Sequence, residues 1–69
     1  MRIAFSAAVA RIAKHVAAET EAGSTNWTRV VNAAIRELSP PMYREISSCN
    51  EAVFQAALWN AVHQLQASS

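Results

Sequence analysis

The sequence predicts an all-α fold, a compact bundle of three main helices plus a short proline-started helical turn, completed by homodimerisation. Apolar residues recur at alternating three- and four-residue steps in three separate stretches, and the only glycine and both prolines fall between them. The third observation is size. A chain of 69 residues buries only about 60% of the surface its unfolded form exposes, so it commonly needs a supplement to its own core. Cys49 is the one cysteine and cannot form an intrachain disulfide, which leaves self-association as the expected supplement.

The first helix is expected from Arg2 to about Ala22. Phe5, Val9, Ile12 and Val16 follow at four-, three- and four-residue steps and line one stripe. Alanines fill much of the rest, including Ala4, Ala7, Ala8, Ala13 and Ala17, and their small side chains favour helix and allow close approach of neighbours. Arg11, Lys14 and His15 mark a more polar side. Glu19 and Glu21 place negative charge at the end where the helix dipole favours positive charge. Gly23 then stands where a left-handed residue ends a helix most easily.

Ser24, Thr25 and Asn26 are all able to cap the second helix, whose stripe is Trp27, Val30 or Val31, Ala34, Ile35 and Leu38. It should stop near Leu38, because Ser39 precedes Pro40 and is biased away from the α region. Proline suits the first turn of a helix, so Ser39 is expected to start a short turn through Met42 and Ile46, which bridge toward the core. Ser47 and Ser48 then separate this turn from the last helix.

The last helix, Ser48 to Ala67, is read as the organising element. Ser48 and Glu51 have the spacing of a capping box, and Phe54, Leu58, Ala61 and Leu65 form the main stripe. Val53, Ala57, Trp59 and Val62 widen the apolar arc, and no charged residue follows Glu51. A helix with one buried face ordinarily carries ionised residues opposite it. This one is therefore expected to be covered on more than one side, with Val53, Phe54, Ala57, Leu58, Val62 and Leu65 as the oligomer interface.

Composition narrows the function classes. A 52% hydrophobic chain with one glycine and two prolines is neither disordered nor collagen-like. A formal charge of +1 gives no broad footprint for a strongly charged partner. The amino terminus begins like a secretory signal, but Arg11 and Lys14 interrupt its short apolar run, so the expectation is a cytoplasmic protein. No stretch approaches the ~20 apolar residues needed to span a bilayer, and the alanine-rich first helix offers little area for stable membrane-surface attachment.

Candidate chemistry is sparse. Cys49 would sit in the first turn of the last helix if Ser48 were its cap, where the helix field favours a thiolate, but no base is placed beside it. Cys49, His63 and His15 lack the spacing of a metal site. No catalytic residue, metal ligand or cofactor is assigned, and an enzyme is not expected. Protein binding is assigned to Trp59, which lies about 100° around the helix from the main stripe with Ala52, Ala56 and His63 alongside, and to Met42, Tyr43 and Arg44 after the prolines. An aromatic, an adaptable thioether and a guanidinium suit a protein interface. The leading expectation is therefore a non-catalytic, homodimeric regulator or inhibitor of a protein partner. The alternative is a small nucleic-acid-binding transcriptional regulator that uses the helix from Thr25 to Leu38, with Asn26, Arg29, Asn32 and Arg36 contacting bases or phosphates.

Overall fold

Helix α1 (Ile3–Glu21) is the hub on which α2 (Trp27–Arg36), α3 (Pro40–Ser48) and α4 (Glu51–Ser68) pack. This is seen in a computed structural model that describes residues 3–21, 23 and 26–68. The described residues form an all-α fold without strands. The three outer helices pack chiefly on α1 and only lightly on one another. The expectation that the last helix organises the chain is thus corrected in favour of α1.

The composition of α1 explains its position. Ala8, Ile12 and Ala13 are fully buried and Val9 and Val16 nearly so, which makes an apolar arc wide enough for three neighbours. Two of those five residues are alanines, and their short side chains let adjacent helices approach closely. Arg11 and Lys14 remain exposed on the opposite side. The outer helices complete the core with Val31 and Ala34 from α2, Ile46 from α3, and Phe54, Leu58 and Val62 from α4. Burying each of the larger side chains contributes roughly 1.5–3 kcal/mol. The radius of gyration, 11.4 Å, is close to the ~11 Å of a compact domain of this length. One copy of the chain therefore encloses a core of its own.

The turns follow local chemistry. Gly23 has φ +98° and its N–H donates to the Thr20 carbonyl at 3.0 Å, so the expected left-handed stop is present. Arg2, Ala22, Ser24 and Thr25, which figured in the expected boundaries, lie outside the described residues. Asn26 caps α2, accepting from the Arg29 N–H at 3.0 Å. That helix ends at Arg36, two residues before the expected Leu38, because Glu37 already takes the cap position.

The proline-started turn is longer than expected. Pro40 and Pro41 open a nine-residue helix, with Ser39 at the cap position but no cap hydrogen bond from its side chain. Met42 is half-buried against the core and Ile46 is buried, so this element does bridge inward. Ser48 is not the start of α4. Its hydroxyl donates to the Arg44 carbonyl at 2.7 Å, which keeps it in the last turn of α3. Asn50 caps α4 instead, its Oδ1 accepting from the Ala52 N–H at 2.8 Å and the Val53 N–H at 3.4 Å.

Candidate functional site

Packing against α1 uses one face of α4 and leaves the other open. Phe54, Leu58 and Val62 point into the core at 5%, 0% and 4% exposure, so these three are corrected from interface residues to residues of the chain's own interior. Ala57 is half-buried against the same core. Val53 and Trp59 are more than half exposed, at 58% and 56%, and Leu65 is exposed at the other end of the helix. Leu65 borders a shallow groove along the α1–α4 seam with Ala10 and Ala61.

Trp59 does not stand alone on the open face. Its ring centroid is 5.8 Å from that of Trp27 and 4.5 Å from that of His63, both tilted by almost 60°. Such tilted contacts are favourable aromatic geometries. Trp27 is held in turn by packing against the core and by its Nε1–H, which donates to Gln55 Oε1 at 3.4 Å. The Trp59 indole is therefore braced from two sides while over half of its surface faces solvent. Ala52, Ala56, Asn60 and His63 share the exposed side of α4, and none of them is Asp, Glu, Lys or Arg. A large braced aromatic on an uncharged face has lost little further freedom when something docks on it.

The connector cluster is divided. Met42 turns inward, whereas Tyr43 and Arg44 are exposed. Tyr43, 49% exposed, lines a cleft where α2, α3 and the start of α4 meet, with Asn32, Ile35 and Gln55 across from it. Trp59 does not line that cleft, so the two expected recognition groups occupy separate parts of the surface. Met42 is consequently a residue packed on the core, not an exposed contact residue.

On α2, Asn26, Arg29, Asn32 and Arg36 are all exposed and border one shallow groove. Their spacing puts the two guanidiniums on the side of the helix opposite Val31 and Ala34. The Oδ1 of Asn26 is occupied by capping, which leaves its amide group for other contacts.

Cys49 is the C-cap of α3 and not in the first turn of α4. Its thiol donates to the Ile46 carbonyl at 3.0 Å. The expected place in the first turn of α4 is therefore corrected, since Asn50 caps that helix one residue later. His15 Nδ1 lies 3.7 Å from Glu37 Oε2, which ties α1 loosely to the end of α2. An exposed pair at that separation contributes little stability. Among the described residues no three His, Cys, Asp or Glu side chains gather as a metal site. Among them, too, no helix is long and apolar enough to cross a membrane.

The chain matches no family model, no curated protein and no solved structure.

The pairing of Trp27 with Trp59 was not legible from the sequence, which left each indole ambiguous between core and surface. The four-residue step from Trp59 to His63 was a usable local signal. The contact with Trp27 depends on how α2 and α4 lie across α1.

Proposed function

We propose that the protein is a non-catalytic binding protein of the cytoplasm that self-associates and regulates or inhibits a protein partner. The observation that carries this reading is the braced, half-exposed Trp59 on a face of α4 that has no formal charge. Large aromatics in such settings supply a disproportionate share of protein-binding energy. Tyr43 and Arg44 offer a second contact area on α3, and self-association would present it twice, so that two weak contacts to one partner reinforce each other. Homodimerisation here joins two preformed units and does not complete an unfinished core.

The test is capture from native extract with the immobilised protein, repeated with Trp59→Ala, Tyr43→Ala and Arg44→Ala variants that retain their helicity. A specific partner lost on at least one of these changes supports the reading. A partner retained by all three eliminates both proposed surfaces.

The groove bordered by Asn26, Arg29, Asn32 and Arg36 favours a second reading, a nucleic-acid-binding regulator that uses α2. Binding to a duplex should then weaken with added salt and weaken further in Arg29→Ala and Arg36→Ala. No binding at low salt removes this reading.

A further inference from the structure

We propose that two copies of the chain pair through the outer faces of α4, antiparallel, about a twofold axis midway between Ala56 and Trp59. Trp59 of each copy then seats against Ala56 of the other, and His63 against Ala52. The inference rests on the self-association advanced above and supplies its geometry.

Ala52, Ala56, Trp59 and His63 recur at four-, three- and four-residue steps, and all four are exposed. They form one stripe on the side of α4 turned away from Phe54 and Leu58. Along that stripe the side chains are graded in size. The amino-terminal half carries two methyl groups, and the carboxy-terminal half carries an indole and an imidazole in ring contact 4.5 Å apart. An antiparallel twofold lays each large half on a small half, at both ends at once. A parallel pair would set indole against indole and leave facing alanines with a gap between them.

Charge agrees with this occupant. An isologous contact brings every residue of a patch against the same patch, so an ionised side chain on the stripe would meet a like charge nearby. The stripe has no Asp, Glu, Lys or Arg, and Glu51 lies one residue before it, about 100° around the helix. Antiparallel alignment also sets the positive end of each helix dipole beside the negative end of the other.

Area sets the strength. An 18-residue helix is about 27 Å long, and one such pair buries less than the ~1,200 Å² at which standard stable interfaces begin. The dimer is therefore a reversible one that forms in the micromolar range or above. The bracing of Trp59 by Trp27 lowers the ordering cost of forming it.

The test uses full-length chains carrying Cys49→Ser, so that no native thiol competes, together with Ala52→Cys or His63→Cys. In the proposed register positions 52 and 63 face each other, whereas each is about 16 Å along the axis from its own copy, beyond disulfide reach. Under mild oxidation, a mixture of the two variants should give a covalent heterodimer, and neither variant alone should link. Linking of each variant with itself, without a covalent heterodimer in the mixture, would overturn the antiparallel register while preserving self-association. Sedimentation of the unmodified protein from about 1 μM to 1 mM separates the two failures. A monomer throughout would overturn self-association as well as this geometry. Ala56→Glu, at an exposed position that accepts a good helix former, should keep monomer helicity and weaken the dimer at least tenfold. An unchanged association constant in that variant would show that α4 is not the contact.

Discussion

Helices α1 and α4 look alike in sequence, long, rich in alanine and apolar around much of their circumference, yet they stand in opposite situations. The alanines Ala8 and Ala13 of α1 are fully enclosed, whereas Ala52 and Ala56 of α4 face solvent. In α1 the broad apolar arc is accounted for by three neighbours within the chain. In α4 the same breadth is accounted for on one face only, and the remainder includes the most exposed large hydrophobic side chains among the described residues, Val53 and Trp59. An apolar arc therefore reports that a helix is to be covered, and the fold decides whether the cover comes from its own chain.

The largest effect expected from breaking this contrast is at Ile12, which is fully buried in the hub. Ile12→Ala should cost about 2–5 kcal/mol, since it leaves a cavity where outer helices meet α1. A chain of this length has a total stability of only about 3–10 kcal/mol at the usual per-residue values. Urea titration should accordingly show a protein close to unfolding even without denaturant. A loss under 1 kcal/mol would mean that α1 is not the hub.

A smaller change sharpens the comparison directly. Ala13→Leu adds volume at a fully buried position and should destabilise by about 1–3 kcal/mol. Ala56→Leu adds the same volume on the open face of α4 and should shift stability by less than about 0.5 kcal/mol when measured on dilute, monomeric protein. Equal effects at the two positions would mean that the two helices are buried alike.

How much of this contrast was legible follows from what periodicity encodes. The stripes of Phe5 to Val16 and of Phe54 to Ala61, the stop at Gly23 and the restart at Pro40 depend on residues near in sequence, and each of these features is present in the structure, whereas Leu65 at the end of the expected stripe is exposed. The choice of hub depends on which faces meet, information that a helical repeat does not carry, so α4 was read as central in place of α1. The cap of α4 was misread for a different reason. Ser48 and Glu51 have capping-box spacing, but the hydroxyl of Ser48 finds the Arg44 carbonyl behind it, and Asn50 takes the amides ahead. Two polar side chains competed for one role, and the length of α3 decided between them. Of the candidate site, the exposed aromatic at Trp59 could be anticipated from its offset from the main stripe, whereas its contact with Trp27 could not.

That competition gives the next prediction. Asn50→Ala removes the acceptor for the first amides of α4 and should cost about 1 kcal/mol. Ser48→Ala removes only a bond from a hydroxyl to a carbonyl already within α3, and should cost a few tenths of a kcal/mol at most. Thermal melts of the two variants would show the order, and the reverse order would restore Ser48 as the cap.

The smallest expected effect on the monomer is at the residue to which the largest binding role is assigned. Truncating a tryptophan in a packed core costs about 3–5 kcal/mol, but Trp59 already exposes 56% of its surface, and its internal contacts are the tilted rings of Trp27 and His63. Aromatic pairs contribute about 0.5–1.5 kcal/mol beyond area burial, and exposure puts the loss for Trp59→Ala toward the lower figure. Denaturation at protein concentrations well below those at which self-association sets in should therefore move little. At higher concentration the unmodified protein gains stability from any association restricted to the folded state, by mass action, and the Trp59→Ala variant should gain none. The difference between the two proteins would then grow with concentration. A loss of several kcal/mol already present in dilute solution would instead make Trp59 a core residue, and the contrast between an enclosed α1 and an open α4 would collapse at its most informative position.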